Sequence, residues 1–301
     1  MDRRDLLRLG AAGMMAAAAP ANASLESRIC LFTDHLGGFE YREVAKMLAE
    51  LKVSGPDLTL RGGGLVKPER VNEDLPKAAA IFKDHGLSIP MITTAITTAD
   101  ATARSVLSAA TRAGIGFYKL GYYHYKDLDR WQETLAETRT NLQGLARLGS
   151  ELGIRGGVHN HAGNTVGCDL WDSWEALQQV DSSRIGFFFD PAHATIEGGG
   201  AGWKLSFRRL KPRLFMVAVK DFVFEKSAAG WKSRWVPLGQ GMVRWPEFFQ
   251  LLKSAEFPGP LSLHIEYDPG GSGKTERYDR ALEAGARDLQ FLRKSLREAG
   301  L

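Results

Sequence analysis

Two histidines two residues apart, His159 and His161, close the run RGGVHNH at residues 155–161. Residues i and i+2 of an extended strand point to the same side, so both imidazoles would face one way at a strand tip. Further along come Asp190 and His193 in FFFDPAHA, Lys220 and Asp221 in VAVKD, and His264 and Glu266 in SLHIEY. Each group closes a short apolar run. A single histidine in such a place is most often a hydrogen-bonded core or loop residue. Four of them, joined by an Asp, a Lys and a Glu at successive strand ends, are hard to obtain from packing alone, because buried charges need partners. Gathered in one site, such groups could hold a metal ion or work as an acid–base pair.

The elements that must position these groups can be read from the hydrophobic pattern. Short apolar or β-branched runs alternate with amphipathic stretches carrying apolar residues at three-to-four spacing. RICLFTDH precedes YREVAKMLAELK, and LSIPMITTAI precedes ATARSVLSAATRAG. The last pair is LSLHIEYD and YDRALEAGARDLQFLRKSLREAG. The chain carries eight such β-then-α units. Continuous apolar strands are buried on both faces, as in parallel sheets. Eight units close a (β/α)8 TIM barrel, which the length of 301 residues accommodates as a single domain. A doubly wound open sheet is the alternative, but Gly37-Gly38 after the first strand lacks the G-x-G-x-x-G spacing such folds show. In a barrel, chemistry sits at the C-terminal strand ends, where the polar residues gather. Arg61 and Lys119 lie at the tips of the second and fourth strands. Trp203, Trp231 and Trp235 fall in glycine-rich or polar stretches read as loops, where an indole could contact a ligand. Trp171, Trp174 and Trp245 sit on helix-like patterns and read as packing.

Net charge is +4 with no basic run, which gives no basis for a nucleic-acid partner. Two cysteines, Cys30 and Cys168, cannot make a disulfide scaffold, and whether they pair is open. Residues 1–23 look like a twin-arginine export signal: Arg3 and Arg4 lead into an apolar stretch, and Ala21-Asn22-Ala23 before Ser24 reads as a cleavage site. The uncharged stretch is short for a span, which needs roughly 20 apolar residues. The expectation is a barrel domain over residues 24–301, located in the periplasm, with no stable membrane anchor after cleavage.

The strand tips resemble the xylose-isomerase-like (β/α)8 superfamily of sugar phosphate isomerases and epimerases, and the resemblance extends over the whole segment 24–301. The family pattern has a Glu-Asn-His-like fifth tip, Asp-x-x-His on the sixth, His-x-Lys-Asp on the seventh and Glu on the eighth. Here these read HNH, DPAH, AVKD and HIEY. The resemblance implies a carbohydrate substrate, proton transfer between groups of the fifth and eighth strands, and one divalent metal ion (Mn, Co, Fe, Zn or Mg). The ligand positions hold His159, Asp190, Ala218 and Glu266, so one ligand is altered and one is missing. His159, Asp190 and Glu266 could still hold a metal. Lys220, two residues beyond Ala218, points the same way and could take over part of the metal's electrostatic role. The assignment is therefore Glu266, His159 and Lys220 as catalytic residues, and Asp190, Glu266 and His159 as metal ligands. His161, His193, Arg61, Lys119, His264 and Trp203 are assigned to substrate binding.

The expected activity is isomerisation or epimerisation of a non-phosphorylated sugar or keto-sugar. No P-loop spacing is present, and an exported protein meets mostly unphosphorylated sugars. Alternatives are β-elimination from a 3-keto-glycoside, which shares the proton-abstraction step, and a non-catalytic sugar-binding barrel with a degenerate metal site. A nuclease related to endonuclease IV would need more metal ligands than remain. Homo-oligomerisation is left open.

Overall fold

In the computed structural model, residues 24–228 and 230–301 are described; the expected export segment, 1–23, lies outside them. The strands are β1 (Ile29–Phe32), β2 (Pro56–Leu60), β3 (Met91–Thr94), β4 (Phe117–Lys119), β5 (Arg155–His159), β6 (Ile185–Phe189), β7 (Leu214–Val219), β8 (Asp221–Ser227), β9 (Gly230–Val236) and β10 (Leu261–Leu263). Eight of them form a closed parallel barrel in the order β1-β10-β7-β6-β5-β4-β3-β2, while β8 and β9 pair separately as an antiparallel hairpin. The expected single (β/α)8 TIM barrel is thus the observed fold.

Between the strands run α1 (Tyr41–Glu50), α2 (Val71–Asp84), α3 (Ala101–Arg112), α4 (Trp131–Leu152), α5 (Leu170–Leu177), α6 (Pro191–Gly198), α7 (Gly202–Leu210), α8 (Trp245–Ser254) and α9 (Lys274–Ala299). Their ends follow local chemistry. The Asp100 carboxylate accepts from the Ala103 N–H at 2.8 Å and starts α3, while Gly153, at φ 76°, ends α4 in the left-handed conformation that costs glycine little. Their apolar stripes bury against the outer barrel face, as α8 does with Trp245, Phe248, Phe249 and Leu252.

Inside the barrel, inward positions recur every second residue. Cys30, Met91, Phe188, Met216 and Ala218 form an apolar floor. A Cβ on Gly157 would come within 2.2 Å of the Met216 side chain, so the glycine at this inward position makes room for the floor directly below His159. Both cysteines are free thiols, Cys30 buried in that floor. Among the described residues, no helix is long and apolar enough to cross a membrane.

Two elements depart from the sequence reading. The segment after Asp190, read as part of the sixth strand tip, is the helix α6, with Asp190 as its N-cap and Pro191 at its first position. Residues 221–236, read as a polar connection, form the β8–β9 hairpin. Its anchor is Asp221, whose carboxylate accepts from the N–H groups of Gly239, Gly241 and Val243 and from the indole N–H of Trp245 at 2.9–3.2 Å. A Cβ on Gly241 would lie 2.0 Å from the Asp221 carboxylate, so only glycine admits this turn. Asp221 therefore ties down the segment after the hairpin rather than acting at the strand tip.

Candidate active site

At the C-terminal end of the barrel lies a cavity of about 640 Å³, walled by Arg61, Lys119, His159, His161, His264 and Glu266 among others. This volume suits a small ligand such as a monosaccharide. Above the Phe188 floor, the His159 ring stacks on Phe188 with centroids 4.7 Å apart.

The electrostatic centre is Lys220, which follows β7 directly and is 3% exposed. Its Nζ lies 2.9 Å from Oε1 of Glu266 and 3.3 Å from Oδ2 of Asp190. Burial alone would push the ammonium's pKa down, but the two carboxylates more than offset it and hold it above the usual lysine range. Burial would likewise raise the Glu266 carboxyl, yet Lys220 and the hydrogen bond from His264 hold it well below the usual carboxylate range. His264 donates from Nδ1 to the same Oε1 at 3.1 Å. Both contacts fall on Oε1, so Oε2 of Glu266 has no hydrogen-bond partner among the described residues.

His159 sits at the end of β5 between Tyr122 and Asp190. Nδ1 is 3.0 Å from the Tyr122 hydroxyl, and Nε2 is 3.3 Å from Oδ2 of Asp190. Burial, then the charges of Lys119 and Lys220, hold the imidazole well below its usual range, so it is neutral. A neutral ring has one N–H. Burial keeps the Tyr122 phenol protonated, so its O–H donates to Nδ1, and Nε2–H donates to Asp190. The result is a Tyr–His–Asp relay whose outer member, Tyr122, lines the cavity. His159 thus lines the cavity with both ring nitrogens engaged, one by Tyr122 and one by Asp190.

Asp190 is fully buried. Its Oδ1 accepts from the Ala192 and His193 N–H groups at 2.8 and 3.0 Å, and its main chain is clamped by the Asn160 side chain at 2.8 and 2.9 Å. The sequence reading brought His159, Asp190 and Glu266 together as metal ligands. They do converge, but as an ion-pair network and not as a coordination sphere. The Lys220 ammonium occupies the place between the two carboxylates, and Ala218 supplies no donor. The Asp190 lone pairs are already taken, and among the described residues no three His, Cys, Asp or Glu side chains are arranged to hold a metal. These residues do not fit a divalent ion.

The substrate-binding candidates divide. His161 donates from Nδ1 to its neighbour's carbonyl, Ala162 O, at 2.8 Å, and its ring lines the cavity. Arg61 lines the cavity and pairs with Asp34 at 2.7 Å. His264 and Lys119 also face it. His193 does not: it lies behind, its ring 3.9 Å from that of His161 and 5.1 Å from that of Trp235, and supports those two. Trp203 is a correction as well. It is an α7 residue, 1% exposed and packed near Phe248 rather than lining the cavity, because Trp203, Phe207 and Leu210 form one helical stripe. Trp231 is 69% exposed on β9. Trp235, brought in by the hairpin, does wall the cavity, with Lys220 Nζ 4.3 Å above its ring.

Sequence reasoning missed His35. Both its ring nitrogens are buried without a hydrogen-bond partner, it lines the cavity, and burial lowers its pKa to about 4. The signal was its position three residues after Phe32, at the tip of the first strand. Beneath His264, Asp57 also went unnoticed. It accepts from Thr93 and Ser262 hydroxyls, each at 2.8 Å, and burial raises its pKa.

Solved structures share this fold. A 3-keto-D-glucoside 4-epimerase from E. coli is 12% identical, with TM-score 0.66 over 89% of this chain and 99% of the other. The probable 3-DHS dehydratase from Bacillus anthracis is 18% identical, with TM-score 0.64 over 88% and 98%. A xylose isomerase-like TIM barrel protein from Mycobacterium smegmatis, solved in complex with magnesium, is 15% identical, with TM-score 0.64 over 91% and 99%. A search of curated proteins gave no sequence match. The family profile described as xylose isomerase-like TIM barrel matches residues 46–295, and the chain belongs to that family.

Proposed function

We propose that this protein is an enzyme that moves a proton at a carbon beside the carbonyl of a non-phosphorylated sugar or keto-sugar, as an epimerase or isomerase. The observation that carries the reading is the Lys220 ammonium held 2.9 Å from Oε1 of Glu266, with Oε2 of that carboxylate unpartnered. Glu266 takes the proton. The negative charge then passes from the carboxylate to the substrate oxygen, and Lys220, standing beside both, follows it. Charge near the ammonium is conserved throughout, so the low proton affinity of Glu266 in the resting site is relieved as Lys220 turns to the oxyanion. Tyr122, backed by His159 and Asp190, is placed to return a proton. His161 and His35 offer ring nitrogens to hydroxyls, and Trp235 an apolar wall.

The 3-keto-D-glucoside 4-epimerase with this fold performs chemistry of the same class, which supports the reading. β-Elimination shares its first step, and the dehydratase among the similar structures makes that outcome the second reading. The export pattern at Arg3-Arg4 supports a periplasmic enzyme and hence an unphosphorylated substrate. Incubation with a panel of ketoses and 3-keto-glycosides in deuterated water, followed by NMR, tests the proposal: deuterium should enter beside the carbonyl. Ligand binding across the panel with no exchange would favour the non-catalytic alternative.

A further inference from the structure

The network around Glu266 leaves one buried amine unused. Lys119 ends β4, is 2% exposed, and lines the cavity wall. Lys220 has two carboxylates, whereas Lys119 has none within salt-bridge distance among the described residues. Its Nζ instead lies 3.5 Å from the centroid of the Tyr122 ring, whose hydroxyl belongs to the relay through His159. After burial, the groups that act on it electrostatically are, in falling order, Arg61, which repels a proton, Asp57, which attracts one, Lys220, which repels one, and Asp34, which attracts one. An unpartnered buried ammonium would be costly, and an amine in this setting is a nucleophile.

We infer that Lys119 forms a Schiff base with the substrate carbonyl. The inference rests on the carbonyl-substrate reading above and keeps Glu266 as the base, but puts an iminium in place of the oxyanion: the carbonyl oxygen leaves as water and Lys220 stays with its carboxylates. The nitrogen lone pair of the neutral amine bonds to the carbonyl carbon, and the carbonyl π pair moves to oxygen. Two protons leave nitrogen in the course of the reaction, and the oxygen departs as water. Thus one amine and one carbonyl give one imine and one water. Protonation of the imine nitrogen gives an iminium that draws electrons from the adjacent carbon. Glu266 takes the proton from that carbon, leaving a neutral enamine. Reprotonation and hydrolysis restore the amine and a carbonyl. The iminium supplies the electron withdrawal that a divalent metal would otherwise supply, which fits a site where Lys220 and Ala218 leave no place for one. Burial, then Arg61 and Lys220, lower the Lys119 pKa to about 7. At neutral pH the amine is therefore neutral about a thousand times more often than an ordinary lysine with pKa near 10.4.

The test is reductive trapping. The full-length protein is treated at pH 7 with cyanoborohydride and either dihydroxyacetone or methyl 3-keto-β-D-glucopyranoside, then mapped by peptide mass spectrometry. The expected result is one adduct on Lys119, at least tenfold above any surface lysine, and its loss in Lys119→Met and Lys119→Arg. The wild-type map locates the adduct whether or not the variants fold. No adduct on Lys119 with either probe, or labelling spread evenly over surface lysines, overturns the inference. Deuterium exchange without an adduct would do the same while leaving the carbonyl-proton reading intact. An adduct on Lys119 without exchange would uphold the nucleophile and reject that reading.

Discussion

Lys119 and Lys220 end strands three places apart in the same barrel mouth and are buried almost equally, at 2% and 3% exposure. Their electrostatics are opposite. Lys220 sits between Asp190 and Glu266 and is held charged, while Lys119 faces an aromatic ring and other cations, and its pKa falls to about 7. The β6–β7–β10 side of the mouth thus holds one ammonium shared between two carboxylates. The β2–β4 side carries cations and polar groups in excess. Burial is the same on both sides, so partner choice alone sets the charge state.

The comparison breaks most sharply at Glu266. Glu266→Gln removes the proposed base but keeps the shape and one acceptor for Lys220, so turnover should fall by about 10²–10⁴-fold with the fold intact. Steady-state kinetics beside circular dichroism check this. On the same side, Lys220→Met strands two carboxylates in the barrel. Breaking a buried pair in this way costs about 3–5 kcal/mol, so denaturant midpoints should drop and activity should vanish. His159→Ala interrupts the relay to Tyr122 and leaves a gap over Phe188, so both turnover and thermal midpoint should fall; a lower midpoint with unchanged kinetics would mark the histidine as a packing residue.

On the other side the sign reverses. The unfolded chain protonates Lys119 below about pH 10.5, the folded chain only below about 7. Between those values the unfolded state binds the extra proton, so folding stability rises with pH across the window. The burial penalty is at full size at and below pH 7 and gone above the unfolded pKa. Lys119→Met should therefore raise Tm at pH 7, by an amount that shrinks toward pH 10, while activity is lost. A Tm that falls at pH 7 would show that Lys119 has an unrecognised partner. Smallest in catalytic effect is Trp203→Phe: KM and kcat should stay within about twofold, with only stability reduced, because the indole packs on α8 and not in the cavity.

Much of the site was legible because barrel strands carry strict two-residue periodicity. Ala218 and Lys220, or His264 and Glu266, share a direction by arithmetic, and strand order brings their tips together. The less legible features depend on how connections fold back. The β8–β9 hairpin is wet on most of β9, so it has no apolar alternation to betray it, and with it went the placement of Trp235 against Lys220. The Tyr122–His159 bond needs the loop after β4 to turn inward, which no local signal specifies. Trp203 was different. Its i, i+4, i+7 stripe with Phe207 and Leu210 was available, but the preceding glycine run suggested a loop. The placement of an ammonium between the expected metal-binding carboxylates had a chemical reason that the sequence did hold: a lysine two residues past a missing ligand can reach both of them.

The Lys220 ammonium stands between the two carboxylates that the family resemblance would give to a divalent ion, beside Glu266, the proposed base. The direct measurement is solvent-deuterium incorporation into a ketose or 3-keto-glycoside substrate by NMR, using chelator-treated enzyme with and without added Mg, Mn, Co, Fe or Zn. The exchange rate should be the same with and without the ions, and exchange should be lost in Glu266→Gln. Exchange that disappears on chelation and returns with a divalent ion, or that persists undiminished in Glu266→Gln, would contradict the proposal.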